Sequence, residues 1–218
     1  MLVNSSYQTD AFVGTTLNIF QLEINHYPIS FIVWNITLAI LAIVAANWAA
    51  KIFLTKKKWF IKLGAILVWL ALLPNAAYLM TDARHIIDYC PPYSYGKVCL
   101  YNAWMTLFFF AYAAVGWPVF VLALRPLKKV MTKYFNKTIG LIFMFGACLL
   151  SALGVLLGLV NRFNSWNLIT NPLKVIKVAL TYFSDSVSMF NLFMMFIILV
   201  LLYLVGEKIF INPKLNND

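Results

Sequence analysis

Asn75, Tyr78, Asp82 and His85 follow one another at spacings of three, four and three residues. On a continuous helix that spacing lines them along one face, aimed into one crevice. Asp82 and His85, a carboxylate and an imidazole at i, i+3, have two chemistries open to them. The carboxylate can orient the imidazole for acid–base work, or both can share a cation. A cation site needs a fuller ligand set, and only Asp88 and Cys90 stand ready to extend it, so no metal centre is assigned. A structural cluster of hydrogen bonds and ion pairs is the competing reading of the same residues. The second segment of this kind is Asn161-Arg162-Phe163-Asn164-Ser165-Trp166-Asn167. Arg162 offers a planar fork for a carboxylate or phosphate; an internal bridge to Asp82 or Asp88 is its alternative. Acid–base roles are assigned to Asp82 and His85. Substrate contacts are assigned to Asn35, Asn75, Tyr78, Arg162, Asn164 and Trp166.

The elements that must position these residues follow from composition. Apolar residues make up 63% of the 218, and charged residues only 11%. A soluble fold of this length cannot hide so much apolar surface, so the excess must face lipid. That excludes a soluble enzyme and a disordered chain, and three cysteines do not make a disulfide scaffold. Cys90 and Cys99 are placed to bracket Pro91–Val98 in a short-range disulfide or to stay free, and Cys148 lies deep in an apolar run. Nothing in the sequence names a cofactor, and whether the site is catalytic stays open.

Five runs reach the roughly 20 apolar residues a membrane helix needs. They are Ile29–Leu54, Phe60–Met80, Val98–Leu124, Ile139–Val160 and Ser188–Val205. None shows the period-2 alternation of barrel strands, and an unpaired backbone cannot face lipid. Twelve of the seventeen Lys and Arg fall in the first loop, the third loop and the tail. Basic residues stay cytoplasmic when loops are short, which places the N-terminus outside and the C-terminus inside. The sequence pI of 9.6 then reports topology and contact with anionic lipid, with no nucleic acid implied.

The expected fold is an all-α integral membrane protein, a five-helix transmembrane bundle with its N-terminus outside and its C-terminus cytoplasmic. Residues 1–28 form an extracytoplasmic arm or interfacial segment, 29–209 the transmembrane domain and 210–218 a cytoplasmic tail. Leu173–Phe183, amphipathic and following Pro172, is expected as an outer interfacial helix. The location that follows is the plasma membrane, multi-pass.

Polar residues in a membrane are costly, so their depth is informative. Asn35 lies about 9 Å below the outer end of the first span at 1.5 Å per residue. Asn75, Asn102 and Asn191 lie at a similar level on the second, third and fifth spans, which makes one outer polar layer. Pro74 should kink the second span just below it. On the fourth span Ala147, Ser151, Gly154 and Gly158 form a small-residue stripe that admits a close helix. Intramolecular packing and a homodimer through Gly154 and Gly158 are the two uses open to it. Trp69 and Trp117 sit deeper than the other aromatics and are read as packing residues.

These outer segments also carry a family likeness. The chain resembles the bacterial membrane family known as domain of unknown function 1361. A stretch like L-P-N-A-P-Y-x-x-T-D-x-x-H-L is matched by Leu73 to Ile86, with Ala77 for the second proline. One like G-R-F-x-R-W-N-S-W-D is matched at Gly158, Arg162, Asn164, Ser165 and Trp166. The opening W-N-x-x-L-A is matched by Trp34, Asn35, Leu38 and Ala39. Leu159 stands where the family pattern has arginine, Phe163 where it has tryptophan, and Asn167 where it has an acid; Asn102 is a further candidate replacement of an acid. The resemblance implies a fold and a site location, with no reaction attached.

Three functions fit these residues. One is an enzyme or binding protein whose outward crevice takes a lipid or lipid-linked molecule. Another is a non-catalytic accessory subunit bound to a membrane-protein partner. The third, a small transporter, is opposed by sealed inner halves and by the lack of a midplane charge or an internal repeat.

Overall fold

The computed structural model describes residues 23–24, 27–86 and 103–211. A two-residue antiparallel pairing of β1 (Glu23–Ile24) with β2 (Tyr27–Pro28) leads directly into the first helix. Everything after it among the described residues is helical or loop. Five helices are long and apolar enough to cross a membrane: α1 (Ile29–Leu54), α2 (Trp59–Tyr78), α3 (Ala103–Tyr134), α4 (Lys137–Asn161) and α7 (Ser186–Ile211). Between the last two lie the single turn α5 (Asn167–Thr170) and the short helix α6 (Pro172–Thr181). In none of the spans is more than 44% of the apolar window buried within the protein. The remainder is an apolar exterior that requires lipid, and the chain is a multi-pass membrane protein.

The span limits differ from expectation in instructive ways. The third helix runs on past Leu124 to Tyr134, through Pro126. A proline inside a helix removes a donor and its ring pushes back the preceding turn. Here the indole Nε1–H of Trp69 donates to the Ala123 carbonyl at 2.8 Å, beside that disturbed turn. Leu127, Val130 and Met131 continue the buried face beyond it, so packing carries the helix through. The second helix changes form at Tyr78 and continues as a 3-10 segment, Leu79–Ile86.

Close helix contact rests on small residues. Ala39, Ala42, Ala46 and Ala49 form a buried stripe on α1, and α2 and α3 pack against that helix. Trp69 is fully buried and stacks on Phe143 of α4 with ring centroids 5.6 Å apart. Trp117 Nε1 donates to the Leu202 carbonyl of α7 at 2.7 Å. Both deep tryptophans therefore join helices through an indole donor and a backbone acceptor.

The bundle has two unlike ends. Loops 55–58 and 135–136 are short, and Asn136 caps α4 by accepting from Ile139 N at 2.8 Å. At that basic end Lys62 lies over the rings of Phe53 and Tyr134. One helix turn or more inward, Lys128 of α3 pairs with Glu207 of α7, whose other oxygen accepts from the Tyr203 hydroxyl at 2.9 Å. The opposite end carries the 3-10 segment, residues 162–185 and the residues assigned to chemistry above.

Candidate functional site

The 3-10 geometry of Leu79–Ile86 alters how its polar residues are presented. With three residues per turn, positions i and i+3 lie on one edge. Thr81 accommodates the change by donating its hydroxyl to the Tyr78 carbonyl at 2.6 Å. Gly116 of α3 allows the segment to seat, because a Cβ there would stand 2.8 Å from Met80 Cγ and 2.9 Å from its backbone nitrogen. Asp82 is only 1% exposed. Its Oδ2 accepts from Asn35 Nδ2 at 2.9 Å, which ties the first span to this segment. The backbone of His85 belongs to the same segment, one 3-10 turn beyond Asp82, and its side chain lies outside the described structure. Asp88, Cys90, Cys99 and Asn102 also lie outside the described residues.

A proline and two glycines bring the second segment to the first. Pro74 lies inside α2, and its ring is received by Gly154 of α4, where a Cβ would come within 2.6 Å of Pro74 Cγ. One turn on, the ring of Tyr78 covers Gly158, where a Cβ would be 3.2 Å from Cε2. Gly154 and Gly158 of the small-residue stripe of α4 thus pack on α2 of the same chain, the intramolecular use of the two that the sequence left open.

The fourth helix ends in a Schellman turn: Phe163 N donates to the Leu157 carbonyl at 3.1 Å. Arg162 occupies the left-handed position of that turn, at φ 56° and ψ 30°. It is the only non-glycine residue with positive φ among the described residues. The chain then folds tightly, with Asn164 N donating to Asn167 Oδ1 at 2.7 Å. Ser165 meets Asn75, whose Nδ2 donates to Ser165 Oγ at 2.9 Å. Trp166 packs edge-on against Trp34 of α1, with centroids 6.3 Å apart. Below this loop the Tyr182 hydroxyl donates to Asn161 Oδ1 at 2.9 Å, and burial pushes that phenol's pKa up.

Tyr78 stands at the centre. Arg84 Nη2 donates to its hydroxyl at 3.2 Å. Asp82 and Arg162 are its other charged neighbours. Two guanidiniums and one buried carboxylate thus lie near a single phenol.

Among the assigned residues, Asn35, Asn75, Tyr78, Asp82, Arg162 and Trp166 converge from α1, α2, the 3-10 segment and the loop after α4. Asn164 shapes that loop through its backbone. Asn191 does not join the layer, because it is exposed and donates to the Val187 carbonyl of its own helix at 2.8 Å. Its isolation has a physical source: α7 packs on α3 and α4 and supplies no partner at that height among the described residues. Arg84, Ser165 and Trp34 take part without having been assigned to the site. Arg84 and Ser165 flank named residues, and the i, i+6 step from Tyr78 to Arg84 is no helical neighbour spacing, which hid that pair. No group of three or more potential metal ligands occurs among the described residues.

A family model described as "Protein of unknown function (DUF1361)" matches residues 34–201. The chain belongs to that family. No curated protein and no solved structure matches it. The DUF1361 match opens at Trp34 and takes in all the residues of the cluster, together with α5, α6 and most of α7. Asn167, where the family pattern noted above has an acid, accepts a hydrogen bond from Asn164 N. A carboxylate would accept the same bond, so this departure keeps the loop's shape.

Proposed function

We propose that this DUF1361 protein binds, or acts on, a lipid or lipid-linked molecule at a polar site opening to the outer face of the plasma membrane at head-group depth. The carrying observation is the convergence of Asn35, Tyr78, Asp82, Arg84 and Arg162 at one end of five lipid-facing helices. In this reading the basic loops face the cytoplasm and the cluster faces out, as the distribution of Lys and Arg supports. Arg162 holds an anionic head group from its exposed turn. Asp82, buried and bonded to Asn35, orients its neighbours, and His85 supplies acid–base capacity if a reaction takes place.

Helix α6 suits a site at the membrane surface. Val175 and Tyr182 are buried against the bundle, while Ile169, Leu173, Ile176, Leu180 and Phe183 are exposed at steps of four, three, four and three. Lys174, Lys177 and Thr181 occupy a third stripe. An apolar face, a basic face and a protein-bound face suit a helix lying in the membrane interface. A second reading, a non-catalytic accessory subunit, draws on the burial of Asp82, which is how a purely structural carboxylate would also sit.

Native mass spectrometry of the full chain in lipid nanodiscs tests the proposal. A lipid or lipid-linked molecule retained by the wild type and lost in a folded Asp82→Asn variant supports the site. A bare chain in both contradicts it and favours the accessory reading.

A further inference from the structure

The two guanidiniums around Tyr78 have more donors than the phenol can use. A phenolic oxygen accepts few hydrogen bonds, whereas each guanidinium fork carries several N–H groups. Arg84 spends Nη2 on Tyr78, and its Nε is buried with no acceptor among the described residues. Arg162, at the left-handed turn that ends α4, is a second guanidinium near the same hydroxyl. Like charges drawn together in a partly buried place repel unless an anion lies between them. Among the described residues near Tyr78, Asp82 supplies one negative charge against two positive ones, and its Oδ2 accepts from Asn35. Lys174 adds positive charge nearby, its Nζ standing 5.9 Å from the ring centre of Phe163, the residue after Arg162. The imbalance calls for a ligand of about one negative charge with enough oxygens to serve two forks. A carboxylate has only two oxygens on one edge. A phosphate presents oxygens in several directions and pairs bidentately with guanidinium.

We propose that the site binds a phosphate group, as a phosphodiester or singly charged phosphomonoester, between Arg84 and Arg162 with the Tyr78 hydroxyl as a further donor. This rests on the outward site proposed above and names the chemistry of its ligand. Arg84 becomes a binding residue of the site, equal in weight to Arg162. The phosphate can belong to a lipid head group or be free in solution, and the two sources are separable.

The test uses the full chain in a phosphorus-free maltoside detergent. It is titrated with short-chain phosphatidylglycerol and, in a second arm, with inorganic phosphate, with binding read by native mass spectrometry and calorimetry. Saturable binding of phosphatidylglycerol alone supports a lipid phosphate; saturable binding of inorganic phosphate supports recognition of the bare group. In either case Arg84→Gln and Arg162→Gln each weaken binding by about tenfold or more, the loss of a charge-assisted fork. Arg84→Lys keeps the charge and loses the fork, so weakened binding at an unchanged thermal midpoint separates recognition from folding. Wild-type protein that binds neither probe, or Arg84 and Arg162 variants that bind as the wild type does, overturns the phosphate assignment. A nanodisc ligand lost in Asp82→Asn and fully kept in Arg84→Gln also overturns it while leaving the outward site standing. A wild type that retains nothing from nanodiscs removes both.

Discussion

Asn35 of the first span donates its amide to Oδ2 of Asp82 at 2.9 Å, across 47 residues of chain. The carboxylate is 1% exposed, so this donor replaces water that the fold has excluded. The bond joins α1 to the segment that carries the polar cluster. Asn35→Leu should therefore destabilise the protein by about 1–3 kcal/mol, the usual cost of stranding a buried acceptor. Reversible unfolding in mixed detergent micelles measures this, and an unchanged midpoint would show that the bond does not hold the segment.

Gly154 and Gly158 should respond in a definite order. A side chain at 154 meets the Pro74 ring at 2.6 Å, whereas one at 158 meets the Tyr78 ring at 3.2 Å. The proline ring is fixed in the helix backbone, while the tyrosine ring can yield a few tenths of an ångström. Gly154→Ala should cost about 1–3 kcal/mol, in the range of overpacked cores, and Gly158→Ala less. Light scattering should find the same particle mass for both variants, because the stripe is an internal seam.

Much of this architecture was legible because lipid imposes a simple demand. Long apolar runs had to be helices, and five of them are. The two polar segments stood out because polar residues within an apolar span are rare and costly. What the sequence hid depended on tertiary partners. The third apolar run ends at Leu124, yet the helix continues through Pro126 because Leu127, Val130 and Met131 find buried partners beyond it. Asn191 reads like Asn35, yet only Asn35 has a facing acid, because α1 packs against the 3-10 segment. The alanine stripe of α1 has no signature apart from burial, since alanine is also the commonest filler of helices. The pairing of Arg84 with Tyr78 required the shift from α-helix to 3-10 geometry, which local propensity does not specify.

Arg162 carries backbone strain at a proposed ligand-binding position. A left-handed conformation costs an L-residue roughly 1–2 kcal/mol that glycine does not pay. Arg162→Gly should keep or raise the thermal midpoint, and Arg162→Ala should fall below it by about 1 kcal/mol. Both should lose the anionic ligand equally. Parallel melting and ligand-retention measurements check the pattern; glycine and alanine variants of equal stability would show the turn to be unstrained.

Asp185 begins α7 and offers a pH test outside the bundle core. Its Oδ2 accepts from Ser188 N and Ser188 Oγ, each at 2.8 Å, and these bonds hold its pKa below the usual carboxylate value. A depressed folded-state pKa adds stability that is present above the unfolded value, about 3.9, and lost as pH falls through the folded one. Amide exchange in the first turn of α7 should accelerate as pH drops below about 3.9, after correction for intrinsic rates. Asp185→Ala should make that exchange fast and largely independent of pH across the same window. An unchanged acid dependence in the variant would assign the effect elsewhere.

In the proposed site, two separate polar segments form one crevice that opens outward. Asn75 and Ser165 meet across it, with Nδ2 and Oγ 2.9 Å apart. Asn75→Cys and Ser165→Cys, combined in a chain whose Cys90, Cys99 and Cys148 are changed to serine, can be joined by a short bis-methanethiosulfonate in intact cells. An outward-opening site should give an intramolecular crosslink that a membrane-impermeant reductant added outside the cell removes. No crosslink in the folded protein, or a crosslink cleaved only after the cells are opened, would contradict it.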